Sequence, residues 1–268
     1  MIDSLMRTIG LGVVVLVLAA VACGGDDGGD GDGDGDGDIG TAFRITTLNL
    51  RDPHTFALNG GIDVTNMVDT LISDGITMDA DNPADGILDL SILTVFSPLD
   101  QAGASTPMQV VFADCTDPPS STSCSPTADT TPVDSTATNG GDPCLDILPD
   151  TTTAEFMPPV ALPPAPCFSS DAEAFDVQLG EIVLAMEDAR IAGSYTGDPA
   201  TQIVTGLIRG FVTQQTADAA LIPDDVVLVG GMPVSSLLRD QDKDVGPGGA
   251  DGWYFYLNFV ADPVAFTP

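Results

Sequence analysis

The sequence predicts a mainly β protein: a β-sandwich that carries one or two short helices and an irregular insertion stapled by disulfides. Short stretches of alternating apolar and polar residues recur along most of the 268 residues, and turn-forming Asp, Gly, Pro and Thr separate them. Four of the five cysteines lie in one segment that has no such alternation. Short strands joined by turns are typical of a sandwich, and clustered cysteines are typical of a disulfide-linked loop.

The N-terminus has the layout of a secretory signal peptide. Arg7 is followed by an almost wholly apolar stretch, Ile9–Ala22, which ends in small residues and is shorter than the roughly 20 residues of a membrane-spanning helix. Ala20-Val21-Ala22-Cys23 resembles the bacterial lipobox, in which the cysteine becomes the lipid-modified N-terminus. The alternative is an ordinary cleaved signal followed by a chance cysteine.

Lipid modification of Cys23 implies attachment to a membrane, because two or more acyl chains anchor a protein stably. The Gly-Asp repeat at 24–38 predicts an extended tether. Gly24 stands where enteric-type sorting uses Asp as a retention signal, so the outer membrane is the expected location. The predicted organisation is a signal peptide at 1–22, a lipidated Cys and tether at 23–40, and a β-sandwich domain at 41–268.

Alternating hydrophobicity marks the strands. Its clearest case is near the C-terminus, where Trp253, Phe255 and Leu257 alternate with Tyr254 and Tyr256. Glycines within one strand indicate bends or a close approach of the backbone to a neighbour. The predicted strands are Ala42–Leu50, Gly86–Phe96, Met108–Ala113, two or three within Phe175–Tyr195, Ile203–Val212 and Trp253–Val260.

Two stretches predict helices. The first, Asp63–Ser73, has apolar residues at the i, i+3, i+4, i+7 and i+8 positions of an amphipathic helix. Asp63 can cap its start and Gly75 its end. We expect its apolar stripe to face the core rather than a partner. The second, Thr213–Leu221, is short and stops before Pro223.

Residues 115–170 are rich in Pro, Thr, Ser and Asp and lose all periodicity, which predicts an insertion on the domain surface. An even number of cysteines in an exported protein predicts two disulfides, with three possible connectivities. Their spacing lacks the C-x-x-C of zinc and redox sites. We favour Cys115–Cys124 and Cys144–Cys167, because neighbours in sequence close the shorter loops.

The chain is strongly acidic, with 40 Asp and Glu against 7 Lys and Arg and a formal charge of −33. Such a surface repels nucleic acid and attracts cations, so we expect no nucleic-acid partner. Four of the acids are Glu, which leaves 36 Asp. Two explanations stay open: binding of divalent cations, or adaptation to salt water, in which carboxylates keep the protein hydrated.

The strongest candidate metal site is an acidic loop near the C-terminus. Asp240, Asp242, Asp244 and Asp251 fall at the first, third, fifth and twelfth positions of an EF-hand-like loop. Calcium takes about six to eight oxygen ligands from such loops. Val245 stands where an EF-hand has Gly, and a strand follows instead of a helix. We therefore predict a calcium loop of another kind, with simple turn formation as the alternative.

A second acidic loop, at 79–86, also leads into a predicted strand. Its candidate calcium ligands are Asp79, Asp81 and Asp85. The Ala-Asp-Gly at 84–86 recurs at 250–252, which suggests an internal duplication with one ion site in each loop. The alternative is that Asp and Gly are only turn residues here.

The sequence offers little for catalysis. His54, the single histidine, follows Pro53 in a predicted turn and is expected to be a surface residue. No G-x-S-x-G elbow occurs, and no thiol remains as a nucleophile once the cysteines are assigned. A pair of aspartates could hydrolyse glycosides, but the composition gives no basis for choosing two. Tyr254 and Tyr256 could stack on a sugar or simply pack in the sheet.

The chain resembles uncharacterised acidic lipoproteins of myxobacteria-type bacteria. The resemblance rests on the lipobox, the Gly-Asp tether, Ala-Asp-Gly-Ile-Leu-Asp-Leu-Ser at 84–91 and Ser-Leu-Leu-Arg-Asp-Gln-Asp at 236–242. The resemblance covers the chain in patches and implies no activity. We expect a lipid-anchored, non-enzymatic binding or structural module of the cell envelope, stabilised by calcium, with an unknown protein or glycan ligand. The alternative is a secreted-type polysaccharide hydrolase that uses an Asp pair.

Overall fold

The computed structural model describes residues 40–58, 61–79, 83–128, 130–179, 182–224, 226 and 229–268. The predicted signal peptide, Cys23, the tether up to residue 39 and Asp81 lie outside these residues. Within them, thirteen strands and two α-helices are present, and the chain is mainly β as predicted. The strands are β1 (Thr41–Asp52), β2 (Phe56–Ala57), β3 (Ile62–Asp63), β4 (Ile92–Phe96), β5 (Ser105–Cys115), β6 (Ser123–Pro126), β7 (Val133–Asn139), β8 (Cys167–Ser170), β9 (Glu173–Leu179), β10 (Ile182–Thr196), β11 (Gln202–Thr213), β12 (Asp244–Val245) and β13 (Asp251–Phe266), and the helices are α1 (Thr65–Thr77) and α2 (Gln214–Ala219).

The main sheet closes on itself. Its strands pair in the cyclic order β1, β4, β5, β7, β8, β10, β11, β13 and back to β1, and every pair in this cycle is antiparallel. β9 forms a hairpin with the first half of β10, and β6 pairs with β5 and with the end of β13. This closed, sandwich-like arrangement confirms the predicted fold class. Closure also satisfies strand edges that would otherwise be open to aggregation.

The inner face of the closed sheet holds the main core. Trp253, Phe255 and Leu257 contribute to it from β13, and they alternate with Tyr254 and Tyr256 on the outer face, as predicted. All five side chains are buried. The outer face is buried as well because other segments of the chain cover it.

Two glycines in β11 permit close packing. A Cβ atom on Gly206 would lie 2.4 Å from the ring of Phe259, and one on Gly210 would lie 2.8 Å from the sulfur of Met186. Such distances are far below van der Waals contact. The predicted close approach of the backbone at these glycines is therefore confirmed, and a core side chain occupies the space at each position.

Residues 115–170 are not a separate surface insertion as predicted, because β7 and β8 are strands of the closed sheet and their Ala137 and Phe168 lie in its inner core. Residues 140–166, called the cover below, form no strand and pack against the outer face. Ser, Thr and Asp supply most of β7, so its sequence lacks the apolar alternation that would have indicated a strand. In the irregular part, Leu145 packs against Phe211 and Tyr254, and Tyr256 Oη accepts a hydrogen bond from Leu148 N at 3.1 Å.

Both predicted disulfides are present, and the second one fastens the cover to the sheet. Cys115–Cys124 joins β5 to β6, and Cys144–Cys167 joins the start of the irregular part to β8. All but Cys144 are buried. The neighbour pairing favoured from loop length is therefore confirmed.

Helix α1 differs from the prediction at both ends. It starts at Thr65, after an N-cap at Val64 that makes no side-chain hydrogen bond, but Asp63 still caps this end because its Oδ1 accepts a hydrogen bond from Thr65 N at 2.9 Å. At the other end the helix continues past Gly75 to Thr77. Gly75 is needed for close packing instead of for termination, because Leu90 N donates to Gly75 O at 2.8 Å and a Cβ there would meet Leu90 Cβ at 3.3 Å.

The predicted strand at 86–96 is shorter than expected, since β4 covers only Ile92–Phe96. The residues before β4 pass from one face of the sheet to the other: Leu88 packs in the outer cluster beside Cys115, whereas Leu90 packs in the inner core.

Helix α2 follows the prediction closely. Thr213 caps it by accepting a hydrogen bond from Thr216 N at 3.1 Å.

Candidate functional site

The acidic loop near the C-terminus is held against the sheet by its own side chains. Asp244 lies in β12, which pairs with the start of β13, and Asp244 Oδ2 accepts a hydrogen bond from Tyr254 N at 2.8 Å. Asp240 is exposed and pairs with Lys243. Asp251 lies opposite Val245 in the same ladder and is exposed. Of the four predicted ligands, Asp242 and Asp244 are the two that interact electrostatically with each other.

A third carboxylate, Asp52 at the end of β1, joins these two. Burial raises the pKa of Asp52 to about 7; a hydrogen bond from Thr153 N opposes this, and the charges of Asp242 and Asp244 add to it. Burial, with the nearby charge of Asp242, raises the pKa of Asp244 to about 6. Burial also raises the pKa of Asp242, although Arg239 and His54 counteract it.

Sequence reasoning missed Asp52. The available signal was a carboxylate at the end of a predicted core strand, directly before a proline. An aspartate at such a position usually indicates a turn. Its nearness to Asp242 arises because β1 pairs with β13, two strands that lie about two hundred residues apart in sequence.

Aromatic and cationic side chains surround this acidic cluster of Asp52, Asp242 and Asp244. The His54 ring stacks on Phe156 with centroids 3.8 Å apart, and its Nδ1 bonds with Asp63 Oδ2 at 2.6 Å. The Arg239 guanidinium lies 3.3 Å from the centroid of the Phe56 ring. His54 is half-buried rather than a free surface residue, and its contacts fasten Phe156 of the cover to the domain.

The second acidic loop uses its carboxylates to shape the turn before Leu88. Asp79 Oδ2 accepts from Gly86 N at 2.6 Å, and Asp85 Oδ1 accepts from Ile87 N at 2.8 Å. The Asp85 bond, to a residue two positions on, is typical of an aspartate turn, whereas the Asp79 bond joins the two ends of the loop. Asp81, the third predicted ligand, lies outside the described residues, so these bonds account for two of the three candidates.

Among the described residues, no group of three or more His, Cys, Asp or Glu side chains has the geometry to hold a metal ion. Calcium binding therefore stays a prediction, and the acidic cluster is its best location because its charges repel one another. In the same part of the chain, the helices are all too short or too polar to cross a lipid bilayer.

A half-enclosed apolar pocket of about 420 Å³ lies between α1 and the inner face of the sheet. Its volume falls within the roughly 300–1,000 Å³ range of small-molecule sites. The sheet supplies Leu50, Leu184, Met186, Phe255 and Leu257, the helix supplies Met67, Val68, Leu71 and Ile72, and the segment after α2 supplies Ile222, Pro223, Val226, Val229, Val234 and Leu237.

The helix stripe predicted to face the core is thus only partly packed. Ile72 is buried, Met67 and Val68 are half-buried against the pocket, and Leu71 is 47% exposed at its entrance. No sequence signal distinguished this arrangement from a fully packed helix, because both need the same spacing of apolar residues.

Three bonds hold α1 in place beside the pocket. Asp69 Oδ1 accepts from Leu50 N at 2.7 Å, Ile76 O accepts from the buried Arg44 guanidinium at 3.0 Å, and Gly75 O accepts from Leu90 N. The helix is therefore fixed to β1 and to the segment before β4.

Comparison of the chain with known protein families, with curated proteins and with solved structures found no match.

Proposed function

We propose that the chain is a lipid-anchored protein of the cell envelope, held in the outer membrane through Cys23, and that its β-sandwich domain is a non-enzymatic binding module. The observation that carries the proposal is the apolar pocket between α1 and the inner face. Pre-formed concave sites with apolar walls and few polar groups are where soluble domains most often take small ligands.

The walls of the pocket favour binding over chemistry. Among the described residues, those that line the pocket are mainly Leu, Ile, Val and Met. The Thr55 hydroxyl also faces the pocket lining and already bonds with Thr65 Oγ1. Such walls supply apolar contact area, worth about 25 cal/mol for each Å² removed from water. Among the described residues that line the pocket there is no Ser, Cys or His for a nucleophile–base pair, and its two carboxylates, Asp74 and Asp89, lie on α1 and on the segment before β4.

Two features support export and anchoring. The Ala20–Cys23 stretch resembles a lipobox, and two disulfides in a small domain are typical of an oxidising compartment outside the cytoplasm. Both fit a protein that crosses the inner membrane before it folds.

Binding of an uncharged fluorescent probe tests the proposal. N-phenyl-1-naphthylamine should bind saturably, one molecule per chain, with enhanced emission. Val68→Trp places a large ring in the pocket and should lower the affinity at least about tenfold. Ser73→Trp, on the exposed side of the same helix, is the matched control and should bind as wild type does. Equal binding by both variants would place the probe elsewhere and contradict the proposal.

A polysaccharide hydrolase is the second candidate, and one observation favours it. Asp52 and Asp244 interact, and their pKa values are raised to about 7 and about 6. A carboxyl that stays protonated near neutral pH can act as a general acid beside an ionised partner. The 4% exposure of Asp52 beneath the cover makes a structural role the stronger interpretation.

A turnover screen on glycans distinguishes the two candidates. The binding module should release no reducing sugar from any glycan, and Asp52→Asn should leave that result unchanged. Product formation that Asp52→Asn and Asp244→Asn each abolish would replace the binding module with the hydrolase.

Calcium completes the proposal as a stabilising ion. Burial raises the pKa of all three carboxylates, and the charge of Asp242 adds to the shifts of Asp52 and Asp244, so a cation among them would be favoured. Asp242 Oδ2 is also a buried atom without a hydrogen-bond partner among the described residues. An ion at this position would tie β1, the acidic loop and the cover together.

A further inference from the structure

We propose that the apolar pocket takes a single-chain aliphatic amphiphile whose headgroup is uncharged or cationic, and that it discriminates against fatty acid anions. This inference rests on the proposed binding function and names the chemical class of its ligand. Its grounds are the shape of the pocket, the chemistry of its walls and the charge at its rim.

The walls favour an alkyl chain over a flat aromatic ligand. Five of the six side chains that form the inner part are aliphatic or thioether groups, and Phe255 is the single ring among them; the set is Leu50, Ile72, Leu184, Met186, Phe255 and Leu257. Flexible Met and Leu side chains adjust to a chain-like ligand. Stacking of a flat ring needs aromatic faces that these walls lack.

The entrance suits an amphiphile because it changes from apolar to charged over a short distance. Leu71 is exposed at the entrance, Asp74 follows it by one turn of α1 and is half-buried, and Asp89 is exposed on the neighbouring segment. Among the described residues that line the pocket, Asp74 and Asp89 are the charged ones. A chain inserted in the pocket would leave its headgroup beside two carboxylates.

The sign of that charge sets the headgroup preference. An anionic head would lie near Asp74 and Asp89 on a protein with a formal charge of −33, and like charges repel. The same two carboxylates attract a cationic head. A glycerol or alcohol head has no net charge, so they neither attract nor repel it. Fatty acid anions are therefore disfavoured in this pocket.

The pocket also has a definite capacity. Its volume of about 420 Å³ ends against buried core side chains, Met186 and Phe255 among them. Each methylene buried contributes about 0.8 kcal/mol, which is about a fourfold gain in affinity. The gain must stop once the chain fills the pocket, because further methylenes stay in water.

The experiment measures binding of alkyltrimethylammonium ions, 1-monoacylglycerols and alkanoates, each from 8 to 16 carbons, by displacement of N-phenyl-1-naphthylamine from the full-length protein below micelle concentrations. We expect about fourfold tighter binding for each methylene up to a plateau. At about 0.01 M salt, the cation should bind at least about fivefold more tightly than the alkanoate of equal length, and this ratio should shrink at about 0.5 M salt.

Three variants locate the effect. Val68→Trp should lower affinity for all three classes at least about tenfold. Asp74→Asn should reduce the ratio of cation to anion affinity, whereas Asp198→Asn, an exposed aspartate away from the pocket, should leave it unchanged. Cation binding that Val68→Trp does not weaken would be adsorption to the acidic surface and would overturn the inference.

The outcomes separate this inference from the proposal on which it rests. If the probe binds and Val68→Trp removes it, but alkanoates bind as well as the cations or chain length has no effect, the ligand class is wrong while the binding module stands. If neither the probe nor, by titration calorimetry, any of the three classes of amphiphile binds to wild type, both are wrong.

Discussion

Asp52 Oδ2 accepts a hydrogen bond from Thr153 N at 2.8 Å, across 101 residues of sequence. The bond joins the last residue of β1 to the middle of the cover over the outer face. Asp52 is 4% exposed, and it lies near Asp242 and Asp244. The position of the cover is therefore coupled to a cluster of carboxylates whose charge changes with pH.

Replacing Asp52 should change how stability depends on pH. Its folded pKa is raised from an ordinary 3.8 to about 7, so the folded state binds a proton more tightly than the unfolded state does. The stability linked to Asp52 is thus fully present below about pH 4 and is lost as pH rises towards 7. Asp52→Asn keeps an oxygen for Thr153 N and removes the charge. Urea unfolding should show a gain of about 1–2 kcal/mol at pH 8 and almost none at pH 4.

The control for this experiment is Asp142→Asn, an exposed aspartate in the cover. It removes the same charge without a buried site, so its effect on the free energy of unfolding should be within about 0.5 kcal/mol at both pH values. If the two variants had the same pH profile, the general acidity of the chain would be responsible instead of Asp52.

Calcium should stabilise the domain through the acidic cluster. At about ten times a Kd of ~0.1–1 mM, binding to the folded state alone adds roughly 1.4 kcal/mol, which should raise Tm by about 2–6 °C. Thermal unfolding in EDTA, in calcium chloride and in sodium chloride of matched ionic strength measures this. The rise should be absent in Asp242→Asn/Asp244→Asn. Equal effects of the two salts would favour salt adaptation, because screening does not select calcium.

Two further variants test which carboxylates bind. Asp52→Asn should weaken the calcium effect, whereas Asp240→Asn/Asp251→Asn should keep it, since these two residues are exposed and do not contribute to the pKa shifts of the cluster. The effect should also fade as the pH falls below about 7, because burial raises the pKa of Asp52 to about 7 and that of Asp244 to about 6, and calcium needs ionised ligands. Loss of the calcium effect in Asp240→Asn/Asp251→Asn alone would favour the EF-hand-like ligand set.

The two disulfides should differ in their contribution to stability. Cys144 and Cys167 are 23 residues apart and Cys115 and Cys124 are 9 apart, and longer loops gain more from closure. We expect Cys144→Ser/Cys167→Ser to lower the free energy of unfolding by about 3–4 kcal/mol, and Cys115→Ser/Cys124→Ser by about 2–3 kcal/mol. Urea unfolding gives both values. The reverse order would mean that packing of β6 outweighs loop closure.

Cys23 should be the lipid-modified N-terminus of the mature protein. Intact-mass analysis of the membrane fraction should show loss of residues 1–22 and addition of acyl mass, because two or more chains anchor stably. Cys23→Ser should move the protein from the detergent phase to the aqueous phase. Unchanged partitioning of that variant would show that the thiol carries no anchor.

Gly206→Ala should disturb the inner core. The added Cβ would lie 2.4 Å from the Phe259 ring, a distance that forces the ring or the strand to move. Overpacking of this kind costs about 1–3 kcal/mol, measured as a lower Tm at constant pH. Gly61→Ala, where the nearest atom is Leu58 O at 3.4 Å, is the control and should change little. An unchanged Tm for Gly206→Ala would show that Phe259 can repack freely.

Local patterns predicted most of the elements. The alternation of Trp253, Phe255 and Leu257 with two tyrosines predicted β13 and its faces, since successive side chains of a strand point to opposite sides. Loop length predicted the disulfide partners. β7 was not predicted because Ser, Thr and Asp fill it, and its strand form depends on pairing with β5 and β8.

The sequence by itself determined the mainly β class and the two helices, because these depend on short-range periodicity, and it favoured one of three disulfide pairings by loop length. Tertiary structure alone decided where the acidic residues meet. Asp52 joins Asp242 only because β1 pairs with β13, and no spacing in the sequence records that pairing. The pocket likewise depends on tertiary structure. Val68 and Leu71 fit the pattern of a packed helix, but three hydrogen bonds fix α1 at a position where these side chains line a space beside the sheet.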